Sequence, residues 1–246
     1  MKIERTDDKK LIKLTEQLQQ HTPSQRLEQT IEAGGIVIVA HHQPDPDSET
    51  RVLSIAELSP TKEENELYLN LIASHPQNPF AHTGFDVLAQ ARVTAMAEGY
   101  TKVRTQYNIT DPRLANLFQG KLGFKAEEFL DGLVRATWEI TSDRVEGKIT
   151  GRLKQPDISK LTQQPPVIPI VNYDAKNNYA PKDHPQDDPP VIAIEAPCTE
   201  ATTTQQSNLA KLFSTYLPRY KALDFVTDYQ KGVETRTCRG FHILSQ

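Results

Sequence analysis

The chain has 246 residues, 37% hydrophobic and 24% charged, with a formal net charge of −4, a length and polarity that fit a soluble globular protein of more than one domain. That charge gives no overall reason to bind nucleic acid or an anionic membrane; no stretch approaches the ~20 apolar residues of a membrane span, and Met1-Lys2-Ile3-Glu4-Arg5 lacks the apolar core of a secretory signal. Two cysteines, Cys198 and Cys238, are too few for a disulfide framework or a zinc site, so a cytoplasmic chain with reduced thiols and no metal is expected.

Lys2–Arg5 reads as a short strand. Asp7 or Asp8 then caps a helix with Leu11, Ile12, Leu14 and Leu18 at helical spacing, and Pro23-Ser24 separates it from a second helix, Gln25–Ala33, stopped by Gly34-Gly35. Ile36–Ala40 is a buried-strand run, and the turn-rich Gln43–Ser48 leads into an antiparallel partner, Arg51–Leu58. After the polar loop Pro60–Asn65 comes a strand, Leu67–Pro76, on which strict alternation puts Glu66, Tyr68, Asn70, Ile72 and Ser74 on one face. Gly84-Phe85-Asp86-Val87-Leu88 opens a long helix ending near Gly99-Tyr100, followed by the strand Lys102–Asn108 and a short helix at Asp111-Pro112-Arg113. Lys121-Leu122-Gly123-Phe124 leads to a hairpin within Phe129–Ile140, turned by Asp131-Gly132 and anchored by Trp138.

From about Thr141 to Asp188 the sequence is rich in Pro, Gln, Asn and Asp, the composition of a linker or long surface loops. Short apolar runs interrupt it, at Val167–Val171 and then Val191–Ile194. Thr204–Tyr229 reads mainly as helix with a break at Pro218, and Thr235–Leu244 as a closing strand. Three segments are expected: a first domain over 1–142, a linker over 143–190 and a small α+β unit over 191–246.

Over residues 1–140 the order strand, two helices, three strands, helix, strand, helix, hairpin resembles the Gcn5-related N-acetyltransferase (GNAT) superfamily. Pro76 precedes Gly84 by the spacing of that family's phosphate loop, and Asp111-Pro112-Arg113-Leu114 with Lys121-Leu122-Gly123-Phe124 is similar to its Asn-x-Pro…Leu-Gly-Phe region. The resemblance implies an α/β (α+β) fold, a mixed, mostly antiparallel sheet flanked by helices, with a second, smaller α+β unit at the C-terminus. It implies acetyl-CoA as co-substrate and a primary amine on a small molecule or peptide as acceptor. The second unit could cover the acceptor cleft or mediate self-association as a homodimer.

A helix start presents unpaired N–H groups and the positive end of a dipole to phosphate oxygens. By resemblance Ala81, His82, Thr83, Gly84 and Phe85 line that cradle, Ser74 faces pantetheine, and Asn108 and Asp111 flank the cofactor. Three positions depart from the family pattern: Pro79 replaces its Arg or Gln, His82 its first glycine, and Gln119 the tyrosine that protonates the leaving thiolate. Glu66 and Glu57 are rival candidates for the base that deprotonates the amine, and Asp111 also reads as a helix cap. A non-catalytic binding or scaffold module of the same fold is the alternative function. The His41-His42 pair reads as solvent-facing, and Cys238 with His242 has no third group to make a thiol enzyme.

Overall fold

The computed structural model describes residues 1–18, 24–45, 47–80, 82–140, 170–171, 189–197, 202–231 and 236–246. The Pro/Gln/Asp-rich stretch lies almost wholly outside them, as do Ala81 and Cys198. Strand β1 (Lys2–Arg5) runs antiparallel to β2 (Ile36–His42), with Lys2 opposite His41. Between them Asp8 caps α1 (Lys9–Leu14) by accepting the Lys10 N–H at 2.8 Å, which satisfies an otherwise orphaned donor. A 3-10 turn (Thr15–Gln17) precedes α2 (Ser24–Glu32).

Val37 and Val39 of β2 join Ile12, Leu18 and Leu27 in one cluster under the first two helices. Ile36, Ile38 and Ala40 point the other way and are equally buried, where α3 (Thr83–Ala97) packs on β2 and on β3 (Arg51–Pro60). Burial on both faces explains the unbroken apolar run. Strand β4 (Glu66–Ser74) is antiparallel to β3 and parallel to β5 (Lys102–Tyr107). The parallel pairing joins Glu66–Tyr68 to Lys102–Arg104, and the Thr105 hydroxyl adds a bond to the Leu69 carbonyl at 3.2 Å.

The register of β4 overturns the expected alternation. Glu57 pairs with Leu71 while Leu58 pairs with Leu69, so Asn70 is an extra residue, a bulge. Asn70 donates to Glu57 on the α2 side of the sheet, whereas Ile72 and Ser74 lie against Gly84 of α3 on the other. The five residues expected on one face are thus divided between two.

Residues 1–105 with 139–147 form one unit, and 106–138 with 148–246 a second. In the second, α4 (Pro112–Ala115) runs into a π-helical turn (Asn116–Lys121). Strands β6 (Lys125–Leu130) and β7 (Leu133–Glu139) form a hairpin turned by Asp131 at φ 51 and Gly132 at φ 84, the left-handed pair that a two-residue turn requires. Buried Trp138 packs on Phe124, ring centres 5.2 Å apart. Strands β8 (Ile170–Val171), β9 (Val191–Pro197), β10 (Lys221–Lys231) and β11 (Arg236–Ser245) complete the order β7-β6-β10-β11-β9-β8, with α5 (Thr203–Tyr216) between β9 and β10.

The expected helix over Thr204–Tyr229 is therefore half right. It ends at Tyr216, and after Pro218 the chain pairs antiparallel with β11 from Lys221 to Lys231. Proline cannot continue the helix's hydrogen bonds, and the long partner strand captures the residues beyond it. The fold is a mixed, mostly antiparallel sheet flanked by helices, and residues 2–139 follow the expected order of strands and helices.

Candidate functional site

In the first unit the loop from β4 to α3 is built from short-range bonds. The His75 ring Nδ1 accepts the Gln77 N–H (3.1 Å), and the His75 carbonyl accepts the Asn78 N–H (3.0 Å). Asn78 Oδ1 takes the Phe80 N–H at 2.9 Å, and Asn78 Nδ2 donates to the Thr83 hydroxyl. His82 caps α3 in the left-handed region at φ 72, with no hydrogen bond from its ring to the helix. Its carbonyl receives the N–H groups of Phe85 and Asp86. The N–H groups of Thr83 and Gly84 are the first two of the helix, and among the described residues neither has a backbone acceptor.

Gly84 sits against β4: a Cβ there would stand 2.9 Å from the Ser74 hydroxyl oxygen. Thr83 is buried, its hydroxyl 2.7 Å from that of Ser54, which is 2.8 Å from that of Ser74. Phe80, 36% exposed, meets His42 edge-on at 5.3 Å. Beside the loop an open groove of about 1010 Å³ is lined by Lys10, His42, Asp47, Arg51, His75 and Pro79, among others. The structure thus gathers Ser74, His82, Thr83, Gly84 and Phe85 at one helix start.

Both candidate acids are enclosed. Glu57 is 0% exposed and accepts from the Thr30 hydroxyl at 2.7 Å and Asn70 Nδ2 at 3.3 Å. Arg26 lies 3.0 Å from its other oxygen, off the line of a hydrogen bond. Glu66 is buried with Arg104 at 3.0 Å and the Thr61 hydroxyl at 3.1 Å. An arginine beside each offsets the cost of enclosing a charge.

The remaining sequence candidates belong to the second unit. Asn108 Oδ1 accepts from the Thr110 N–H (3.0 Å) and hydroxyl (2.7 Å), folding its own turn. Asp111 caps α4 by accepting the Arg113 N–H at 2.8 Å. Burial pushes its carboxyl up, but the bonds and charge of Arg113 leave it below the ordinary carboxylate range. Gln119 lies in the π-helical turn, where Nε2 donates to the Ala222 carbonyl at 3.3 Å and Oε1 faces His242 Nδ1 at 2.9 Å. Since a side-chain amide oxygen only accepts, His242 carries its proton on Nδ1. Burial between Phe213 and Phe225 pushes the His242 pKa down to about 3. A Cβ at Gly120 would meet the Phe225 carbonyl oxygen at 2.7 Å, so glycine lets β10 approach the turn.

Two features escape sequence reasoning: His242 as the partner of Gln119, and Asn70 as a bulge. Their only local signs are a histidine in a strand and an asparagine within an apolar run. Among the described residues, no helix is long and apolar enough to cross a membrane.

No family model matches the sequence, and no curated protein sequence is significantly similar to it. Solved structures match over a little more than half the chain. An IAA acetyltransferase from Bacillus cereus ATCC 14579 is 18% identical, with a TM-score of 0.42, over 56% of this chain and 98% of that one. An aminoglycoside 6'-acetyltransferase type Ii is 14% identical, with a TM-score of 0.46, over 57% and 98%. The PaiA N-acetyltransferase from Thermoplasma acidophilum, in complex with coenzyme A, is 16% identical, with a TM-score of 0.43, over 56% and 99%.

Proposed function

We propose that the chain is an N-acyltransferase that moves an acetyl group from acetyl-CoA to a primary amine on a small molecule or peptide. The observation that carries this reading is the helix start at Thr83–Gly84, set directly after a bulged strand whose parallel pairing with its neighbour is confined to its first residues. The N–H groups of Thr83 and Gly84, first in the helix, suit a diphosphate. Strand groups of β4 past Tyr68 suit the pantetheine amides, which would bond as an added strand does.

In the reaction the neutral amine attacks the thioester carbonyl carbon, the C–S bond breaks, and the amine's proton ends on the CoA sulfur by way of solvent. Positioning supplies most of the acceleration. Glu57 or Glu66 takes the ammonium proton through water, since neither carboxylate is exposed.

The experiment is a thermal melt with millimolar CoA, followed by thioester turnover with a panel of amines. Binding to the folded state alone at 100 times Kd adds about 2.7 kcal/mol of stability, so a rise of several degrees is expected. An unmoved midpoint would remove the transferase reading.

The second reading, a binding or scaffold module, is favoured by Pro79, by His82 at the glycine position and by the enclosure of both acids. A Pro79→Arg, His82→Gly double variant separates the two. CoA binding that only the double variant shows would establish the scaffold.

A further inference from the structure

The polar groups under the start of α3 form one directed chain. Ser54 is fully buried and has a single hydroxyl proton, which reaches the Leu53 carbonyl at 2.8 Å. With that proton placed, Ser54 Oγ accepts from the Thr83 hydroxyl at 2.7 Å and from the Ser74 hydroxyl at 2.8 Å. Thr83 Oγ1, its own proton spent on Ser54, accepts from Asn78 Nδ2. Asn78 Oδ1 accepts the Phe80 N–H. Every donor in the series has one acceptor, and the series spans β3, the end of β4, the middle of the loop and the first residue of the helix.

Asn78 and Thr83 bracket Pro79–His82, the segment in which the family pattern is lost. His82 lies between them in a left-handed conformation that a residue with a Cβ rarely adopts. Its ring makes no capping bond to α3, and the Asn78–Thr83 bond ties the two sides of that segment together.

We propose that the Asn78–Thr83–Ser54 hydrogen-bond chain is a positioning device that stands in for the missing glycine and loop donor, by holding the loop so that the Thr83 and Gly84 N–H groups point at a diphosphate. This rests on the acyl-CoA reading of the site. Thr83 thereby changes role: its hydroxyl is turned inward to hold the loop, and only its backbone faces ligand. Thr83 and Asn78 are positioning residues, and Ser54 is the buried anchor.

The test measures CoA affinity by calorimetry for the natural chain and for Thr83→Val, Thr83→Ser, Asn78→Ala and the Asn78→Ala, Thr83→Val pair. Valine keeps the shape of threonine without the hydroxyl, and serine keeps the hydroxyl. The device predicts at least tenfold weaker binding for Thr83→Val and for Asn78→Ala, and affinity within twofold of the natural chain for Thr83→Ser. It also predicts a double variant no weaker than the worse single, because links in one chain are not additive. A merely structural role would lower the unliganded melting temperature without this rescue and this non-additivity. If Thr83→Val does not fold, the half-buried loop residue Asn78 decides by the same criterion. Natural-strength binding by folded Thr83→Val or Asn78→Ala overturns the proposal while leaving the acyl-CoA reading intact. No CoA binding by the natural chain overturns both.

Discussion

His82 occupies φ 72 with a full side chain. A left-handed residue other than glycine is strained by roughly 1–2 kcal/mol, while glycine loses more backbone entropy on folding, by about 0.4–1 kcal/mol. His82→Gly should therefore raise the stability of the unliganded chain by roughly 0.5–1 kcal/mol, read as a higher urea midpoint at constant slope. A lower midpoint would mean that the imidazole makes a stabilising contact with its surroundings. The sequence marked His82 as out of place, because its spacing from Pro76 and Gly84 is enough to do so. It said nothing of the bonds that compensate. Asn78, Ser54 and Thr83 are ordinary polar residues up to 29 positions apart, and only folding brings them together. Glu57 and Glu66 show the same limit: their arginines, Arg26 and Arg104, come from other elements.

At the scale of elements, strands and helices with a clean period were legible. The expected strand at Ile36–Ala40, helix from Gly84 and turn at Asp131-Gly132 all occur as read. What failed was whatever depends on a partner: the bulge in β4, set by pairing with β3, and strand β10, set by pairing with β11. On β11, His242 is held neutral by burial, with a pKa of about 3 against an ordinary 6.5. Between those values the unfolded chain binds a proton that the folded chain refuses. The associated stability is complete above pH 6.5 and is lost as pH falls toward 3. The urea midpoint should drop between about pH 7.5 and pH 5, where the unfolded histidine charges. His242→Gln should show a smaller drop over the same interval, and equal drops in the two chains would remove His242 as the cause.

Across the whole molecule, sequence order and spatial grouping do not coincide. Residues 106–138 group with strands β8 to β11 from the last third of the chain. Ala126 of β6 is the register partner of Ala222 on β10, and Lys221 bonds Glu127 at 3.0 Å. No local pattern announces such a junction, because each strand alternates normally on its own. A chain cut after residue 142, the expected end of the first domain, should not behave as an autonomous domain. Size-exclusion chromatography of that fragment is expected to show high-mass material, and a monodisperse, cooperatively melting monomer would contradict this. Truncation strips β6 of its outer neighbour and leaves the bonding groups of Gln119 without the Ala222 carbonyl and the His242 ring. A bare sheet margin of that kind recruits other chains into intermolecular pairing. For anyone expressing this protein, strands β10 and β11 are thus expected to be a solubility requirement for the segment that precedes them.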